Sequence, residues 1–507
     1  MRTVLKWLLR LLLLALLAAV LLILHTLWFK PLKPNWFYER VFMEYGIQDP
    51  QMLSSMRMLP GWMDWYSDDL TDQSLAQERK MQDKLVRDLA TLRQYDRQAM
   101  NEADALNYDM LEYFLQMQAD GEKFAHHNYP LNQLFGIQNE FPTFMATQHP
   151  VTSVADAENY LARLDKTPLM VDQVMEGLRV REKEHILPPT FVVEKVLKEM
   201  RAFVAAEPKR NILYTSLADK FAEQKNGEMT QAQQTLFLSK TEKAIRDKVY
   251  PAYGKFIAYY QELLPKTQGN RGVWALPDGE ALYAYLVRMH TTTDMTPAQV
   301  HQLGLSEVAR IEAEMDAILR SEGLTEGSIG ARMQILGKRP DQLYPDTDAG
   351  RQQIIDDFQR IIDDIDKGLT PYFNVRPKLG VEVERVPEFR EQTAPGAYYN
   401  PPAFDGSRPG VFYINLRNTD EVAKFGMRTL AYHEGIPGHH FQIAIQQELQ
   451  GVPTFRKVLP FTAFAEGWAL YSERLAWEAG FQNNPLDNLG RLQAEMFRAV
   501  RLVVDTG

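Results

Sequence analysis

Apolar residues recur at helical spacing along most of this chain, and this periodicity limits its fold more than any other feature. In the stretch AQERKMQDKLVRDLATLRQY, Met81, Leu85 and Leu89 share one side and charged residues occupy the other. One apolar stripe at this spacing is typical of a helix that packs against a core. The pattern begins again at four later points: Asp156, Pro188, Thr230 and Thr296. We therefore predict a mainly α-helical protein.

Signals for β-structure are few and lie close together. Residues 381–386, VEVERV, alternate weakly, and residues 410–416, GVFYINL, are rich in β-branched and aromatic side chains. Between them, residues 395–410 are rich in proline and glycine, which is typical of turns. We expect a small strand element late in an otherwise helical chain.

The composition narrows the possible classes of function. Apolar residues make up 45% of the chain and charged residues 24%, as in ordinary folded proteins. A net charge of −10 argues against a nucleic-acid partner, because such a protein needs a basic face. The chain has no cysteine, which excludes disulfides, iron–sulfur clusters, thiolate zinc sites and a cysteine nucleophile. Any transition-metal site must therefore be built from His, Asp and Glu.

The N-terminus predicts a membrane segment. Basic residues precede a run from Leu11 to Phe29, whose 19 residues are near the roughly 20 that a helix needs to cross a bilayer. The basic flank should stay in the cytoplasm, and Trp28 suits the far interface. A cleaved signal peptide is the competing interpretation, but neither a small-residue cleavage site nor a lipobox cysteine follows the run. We expect an uncleaved signal anchor in the bacterial inner membrane, with the rest of the chain on the periplasmic side, or secreted if cleavage occurs.

These patterns divide the chain into four predicted parts. They are a signal anchor at 1–30, a linker and lead-in at 31–60, a helical lobe at 61–380, and a metal-site region with a small β element at 381–507.

Residues 431–442, AYHEGIPGHHFQ, hold three of the ten histidines beside a glutamate. In the zincin motif H-E-x-x-H, two histidines four apart face one metal and the glutamate is the general base. Here His433 and His439 are six apart, and His433 and His440 are seven apart. On a regular helix six steps turn about 240° and seven steps rise about 10.5 Å, so neither pair would converge.

Pro437 and Gly438 change this geometry. Proline lacks an N–H and clashes with the carbonyl four residues earlier, while glycine permits close approach of the backbone. We therefore predict that the helix is bulged or broken between His433 and His439. The break would let His439 reach the position of the second zincin histidine.

A third ligand is predicted on the segment FAEGWALYSERLAW. Glu466 lies 27 residues beyond His439 among apolar side chains. A catalytic zinc ion keeps three protein ligands and one open position, so we predict one Zn²⁺ held by His433, His439 and Glu466. Glu473 would orient a ligand imidazole, and Glu434 would be the general base. The alternative role for Glu466 is an ion pair with an arginine: Arg474, Arg498 or Arg501.

The motifs HEGIPGHHFQ, EGWALYSERL and YYNPPAFDGSRPGVFYIN together resemble the bacterial family known as domain of unknown function 885. The likeness extends to YPLNQLFGIQNEFPTFMATQHP and ILPPTFVVEKV, and so spans nearly all of the exported part. That family is similar to helical gluzincin peptidases such as thimet oligopeptidase and the thermostable carboxypeptidases. The resemblance implies a large helical zincin-like peptidase fold with a cleft. It maps the second histidine ligand onto His439, with two residues inserted before it, and His440 remains the alternative. Family members continue with further helical sequence and another histidine, so it also implies that this chain is truncated at Gly507.

The predicted function is an exported, membrane-anchored zinc metallopeptidase that hydrolyses short peptides. The strand at 410–416 would bind an extended peptide by strand addition. Candidate donors to the developing oxyanion are three tyrosines: Tyr398, Tyr399 and Tyr413. Two alternatives stay open. One is a non-catalytic helical binding protein with a structural or degenerate metal site, and the other is a metal-dependent amidase acting on non-peptide or cell-wall substrates.

Overall fold

The computed structural model describes residues 2–59, 61–223, 229–459 and 461–507. The chain is mainly helical, which confirms the prediction from periodicity. The helices of the first half are α1 Arg2–Trp28, α2 Pro34–Gly46, α3 Pro50–Met56, α4 Leu75–Leu92, α5 Glu102–Asp120, α6 Ile137–Thr147, α7 Val154–Lys183, α8 Thr190–Ala205, α9 Ile212–Ala222, α10 Gln231–Ala244 and α11 Tyr250–Leu263. Those of the second half are α12 Gly279–Thr291, α13 Pro297–Ser321, α14 Ile329–Gly337, α15 Asp348–Gly368, α16 Lys424–Glu434, α17 His439–Glu448, α18 Thr462–Glu478 and α19 Pro485–Thr506.

Helix α1 is the apolar segment predicted from the N-terminus. Within its stretch Val4–Trp28, the most apolar 18-residue window has a mean hydropathy of 2.8, and none of that window is buried against the rest of the chain. Among the described residues it is the one helix long and apolar enough to cross a membrane, although a signal sequence has the same properties.

The segment predicted as a linker and lead-in is largely helical and packed. Pro34 and Pro50 begin α2 and α3 rather than interrupting the chain, because proline's fixed φ suits the first turn of a helix. Phe37, Tyr38 and Val41 of α2 are buried in one core with residues of α4 and α5. Residues 31–59 therefore belong to the folded body, and residue 60 lies outside the described residues.

Of two larger cores, the first lies before the predicted boundary at residue 380 and the second contains residues from both sides of it. Helices α6 to α11 enclose the first, which contains Tyr160 and Phe256. The second joins α15, the strands and α16 through contacts such as that between Phe358 and Phe412. Helix α13, before the boundary, packs along α19, after it. The division into a helical lobe before residue 380 and a metal-site region after it stays a prediction.

The three strands form one sheet: β1 Val381–Arg385, β2 Ala397–Asn400 and β3 Gly410–Ile414. Strand β3 lies in the middle, parallel to β1 and antiparallel to β2. The prediction that β3 offers an edge to a peptide was wrong, because both of its sides are already paired. Its apolar sequence reflects burial on both faces.

Strand β2 is an edge strand of this sheet. The N–H of Asn415 donates to the carbonyl of Gly396 at 2.9 Å, which sets the alternation of the antiparallel ladder. By that alternation the backbone groups of Tyr398 face β3, and those of Ala397 and Tyr399 face outwards. Strand β2 lies near α16.

Candidate metal centre

The histidine cluster lies where one helix ends and another begins. Helix α16 ends at Glu434 and α17 begins at His439, so the predicted break between the two histidines is confirmed. Gly438 packs so closely that a Cβ there would lie 2.0 Å from the carbonyl oxygen of His433. Only glycine fits this approach.

Side chains of helix α18 form hydrogen bonds with the connection between α16 and α17. The indole Nε1 of Trp468 donates to the carbonyl of Pro437 at 2.8 Å, and the hydroxyl of Ser472 donates to the same oxygen at 3.1 Å. Glu466 lies on this helix, so the contacts that fix the break also place the carboxylate beside the histidines.

The structure brings His433, His439 and Glu466 together. One nitrogen or oxygen atom from each residue lies within 4.8 Å of the others. The two Nε2 atoms are each 3.5 Å from an oxygen of the Glu466 carboxylate. Contacts with the imidazoles of His433 and His439, and the charges on these rings, hold the pKa of Glu466 well below its usual range.

These separations suit an ion between the three groups. Ligands that surround zinc tetrahedrally at about 2.0–2.1 Å lie roughly 3.4 Å from one another. The 3.5 Å nitrogen–oxygen distances are close to that value and long for direct hydrogen bonds. Two imidazoles and one carboxylate are also a donor set that zinc accepts. The residues present therefore fit a divalent transition-metal ion.

Glu473 orients the imidazole of His433 through a hydrogen bond to its Nδ1 atom. The imidazole Nδ1–H of His433 donates to Glu473 Oε1 at 2.8 Å, and this carboxylate is only 1% exposed. Arg498 of α19 also lies 3.0 Å from the same oxygen. Burial alone would lower the pKa of His433, but the carboxylates of Glu466 and Glu473 outweigh it and raise this pKa to about 9. The Nδ1 contact leaves Nε2 to face Glu466, as expected for a ligand imidazole.

Glu434 is buried next to the histidines. Burial raises its pKa above the usual range, although the two imidazoles oppose this effect. Across the described parts of the chain, no group donates a hydrogen bond to this carboxylate, which lines the same cavity as the three clustered side chains. Its side chain is therefore free to exchange a proton with a molecule in the cavity.

His440 faces away from the other two histidines. Its Nε2–H donates to the carbonyl of Leu379 at 3.0 Å, and its Nδ1 accepts from the hydroxyl of Tyr399 at 3.0 Å. Burial lowers the pKa of His440 to about 4, so the ring is neutral. Both nitrogens are occupied by protein groups, and the geometry favours His439 over His440 as the second ligand.

Comparisons with other proteins place the chain in a family. The profile of the family described as "Bacterial protein of unknown function (DUF885)" matches residues 52–507. The chain belongs to this family. The structure described as the "putative lipoprotein from Colwellia psychrerythraea" is similar, with 30% identity over 93% of this chain and 82% of that chain and a TM-score of 0.86. A "putative lipoprotein of unknown function from Shewanella oneidensis" shares the fold, with 15% identity over the same shares and a TM-score of 0.62. No curated protein matched the chain.

A large open cavity of about 1480 Å³ surrounds the cluster in this DUF885 protein. Strand β2 forms part of its wall, α19 another part, and the exposed pair Leu134 and Phe135 comes from the N-terminal half. Small-molecule pockets are usually about 300–1,000 Å³. The cavity therefore has room for an extended chain of several residues.

The three predicted tyrosines occupy different places. Tyr398 and Tyr399 line the cavity, whereas Tyr413 is buried and stacks on Tyr398, its cross-strand neighbour. The hydroxyl of Tyr398 is buried with no hydrogen-bond partner in the described ranges, and that of Tyr399 is used by His440. Tyr398 is thus the cavity-lining tyrosine whose hydroxyl has no hydrogen-bond partner among the described residues, and this oxygen is buried.

Sequence reasoning missed the role of Arg498. It was considered only as a partner for Glu466, but its guanidinium pairs with Glu473. Helical spacing on α19 places Arg498 on the face toward the cavity but does not say which carboxylate it meets. The contacts of Trp468 and Ser472 with Pro437 were also missed, because they join segments more than 30 residues apart.

Proposed function

We propose that this DUF885 protein is a zinc metallopeptidase that hydrolyses short peptides. The proposal rests on one observation: two imidazoles and a carboxylate converge in a large cavity beside the buried, unpaired carboxylate of Glu434. The resemblance to gluzincin peptidases supports it, because those proteins combine the same residue types on two helices. The helical, cleft-bearing architecture also agrees with a zincin-like fold.

His433, His439 and Glu466 would hold the ion. A bound zinc ion would polarise the scissile carbonyl and lower the pKa of water. The carboxylate of Glu473 keeps the Nδ1 proton on His433 and so directs Nε2 into the site. Arg498 balances the charge of this buried carboxylate.

Glu434 would act as the general base. Burial raises the pKa of this carboxyl toward neutral pH. A general acid–base accepts and donates protons most efficiently when its pKa lies near the working pH. It would take a proton from the attacking water and deliver it to the leaving amine. The absence of a protein donor to its carboxylate, among the residues that the structure describes, keeps it available for this exchange.

Strand β2 would bind the substrate backbone. Ala397 and Tyr399 line the cavity. Their outward N–H and C=O groups would pair with an extended peptide, which gives affinity with little dependence on side chains. The hydroxyl of Tyr398 would donate to the developing oxyanion, because burial keeps it protonated and raises its pKa to about 12.

The anchor belongs to the same proposal. The related structures are described as lipoproteins, but this chain has no cysteine to carry a lipid. Helix α1 would therefore hold the protein in the inner membrane, with its body on the periplasmic side, and the basic residues before the apolar run favour this orientation.

The test compares the full-length protein with Glu434→Gln and with the control Glu176→Gln, which changes an exposed glutamate of α7. We expect one zinc per chain in all three, hydrolysis of a mixed peptide library by the parent and the control, and a loss of roughly 10²–10⁴-fold in Glu434→Gln. A Glu434→Gln variant as active as the parent would eliminate this base. Stoichiometric zinc without hydrolysis of any peptide would favour the binding protein instead. Cleavage confined to non-peptide amides or cell-wall peptides would favour the amidase.

A further inference from the structure

The end of helix α1 is fixed to the folded body. The guanidinium of Arg40, on α2, donates through Nη1 to the carbonyl of Thr26 at 2.9 Å and to that of Phe29 at 2.7 Å. The last carbonyls of a helix have no hydrogen-bond donor within the helix and carry partial negative charge. An arginine at this end both donates hydrogen bonds to them and offsets the charge. The hydroxyl of Tyr95 also donates to the carbonyl of Pro31 at 2.6 Å. The apolar helix thus joins the body without a flexible linker.

This junction lies at the level of lipid headgroups if α1 spans a membrane. The run from Leu11 to Phe29 rises about 28 Å as a helix, close to the roughly 30 Å of a hydrocarbon core. Trp28 and Phe29 are exposed and end this run, as aromatic residues commonly do at the interface. Whatever lies beside them on the body faces phosphate groups.

A cavity of about 410 Å³ opens at this point and carries a surplus of positive charge. Its walls come from the end of α1, from α2 and from one face of α4. Five basic and two acidic side chains line it: Lys30, Arg40, Lys80, Lys84, Arg87, Glu44 and Asp88. The net charge of the whole chain is −10, so this basic surface contrasts with the rest of the protein.

Three of these cations have no carboxylate partner, and one of them, Lys30, donates to the carbonyl of Gln94 at 3.0 Å. Lys84 is neutralised by Glu44 and Asp88. Lys80 contacts only the side-chain oxygen of Gln48, at 3.0 Å. The guanidinium of Arg87 has no hydrogen bond or ion pair with any residue in the described ranges. Lys80 and Arg87 lie seven positions apart on α4, close to the same face, and both are exposed at the cavity.

We propose that this cavity binds the headgroup of an anionic phospholipid from the leaflet on the body's side of the membrane. Lys80 and Arg87 supply the charge for the phosphodiester, and a guanidinium is well suited to phosphate because it can donate two parallel hydrogen bonds. Gln48 and Gln94 line the same cavity and offer polar groups to a glycerol headgroup. The exposed apolar surface of Leu27 and Trp28 leads from the cavity toward the acyl chains. Such a site would set the angle of the body over the bilayer and is independent of the proposed peptidase.

The test uses the full-length protein in micelles that contain equal amounts of phosphatidylglycerol and phosphatidylcholine, with bound lipid identified by native mass spectrometry. The variant Lys80→Gln/Arg87→Gln removes the two cations assigned to the phosphodiester, both from exposed positions. The control Arg79→Gln/Lys198→Gln removes two exposed charges that do not line the cavity. Each basic residue near an anionic surface strengthens binding roughly fivefold, so the preference for phosphatidylglycerol should fall about thirtyfold in the first variant and persist in the control.

Three results would overturn the proposal. The first is an equal preference for phosphatidylglycerol in both double variants. The second is displacement of the bound lipid by inorganic phosphate or glycerol phosphate at millimolar concentration, which would make a free phosphate compound the ligand. The third is a purified protein whose N-terminus begins beyond residue 30, because the cavity would then lack its wall from α1.

Discussion

The carboxylate of Glu473 offers the sharpest test of the arrangement around the metal. It is 1% exposed and accepts from His433 Nδ1 at 2.8 Å and from Arg498 at 3.0 Å. Glu473→Gln keeps an acceptor for the imidazole N–H but removes the negative charge. Glu473→Ala removes the acceptor as well and leaves the buried Nδ1–H of His433 without a carboxylate partner.

The two changes should weaken zinc binding to different extents. Replacing a group that orients a ligand histidine typically costs 10–100-fold in metal affinity. We expect about tenfold for Glu473→Gln, because the ring orientation survives and only the basicity of the imidazole falls. We expect about 100-fold for Glu473→Ala, or roughly 2.7 kcal/mol of binding free energy at 1.36 kcal/mol per factor of ten. The alanine variant should also lose unfolding free energy, because an unpaired buried donor costs about 1–3 kcal/mol.

The measurement is competition for zinc with a chromogenic chelator, combined with circular dichroism to verify folding. The control is Glu478→Gln, which lies on the same helix but forms an exposed pair with Arg474 at 2.8 Å. It should bind zinc as the parent does. Folded Glu473→Gln and Glu473→Ala variants that both keep zinc affinity within twofold of the parent would refute the role of Glu473.

Three further predictions concern other parts of the chain. Burial raises the pKa of Glu199 to about 7, so between about pH 4.5 and 7 the folded state binds more protons than the unfolded state and unfolding free energy falls as pH rises. Glu199→Gln should remove this pH dependence, which amounts to up to about 3 kcal/mol of unfolding free energy and can be measured by urea unfolding at several pH values. An unchanged pH dependence in the variant would contradict the prediction. Gly438→Ala would place a Cβ 2.0 Å from a carbonyl oxygen of α16 and should abolish tight zinc binding in the chelator assay, whereas Gly254→Ala, with open space around it, should not. Tyr398→Phe should lower kcat by about 10²–10³ without loss of thermal stability, because its hydroxyl has no partner in the described structure; an unchanged kcat would leave it a packing role.

Several features followed from local chemistry and were predicted from the sequence. Helices appear where apolar residues recur at helical spacing, because one stripe of each helix must be buried. The break before His439 follows from the missing N–H of Pro437 and the small size of Gly438. Glu473 was predicted to orient a ligand imidazole because it shares a helix face with Glu466, seven positions earlier. The structure supplies the partner, His433, which is 40 positions away.

Other features depended on contacts between distant segments. Pro34 and Pro50 looked like linker residues, but they begin helices whose apolar faces are buried against α4 and α5. Strand β3 had the composition of a strand, and its central place in the sheet was decided by pairing with both neighbours. The residue types of a segment indicate whether it can form a strand. They do not indicate which strands it pairs with in the sheet.

The choice between His439 and His440 shows most clearly which features local sequence determined and which depended on tertiary contacts. The sequence alone determined that two histidines follow a helix break, and that a metal there would need nitrogen and carboxylate ligands, because residue type and proline chemistry are local properties. Adjacent residues on a helix point about 100° apart, so only one of the two can face His433. Tertiary structure decided which one, because Trp468 and Ser472 hold the carbonyl of Pro437 and so set the direction in which α17 leaves the break.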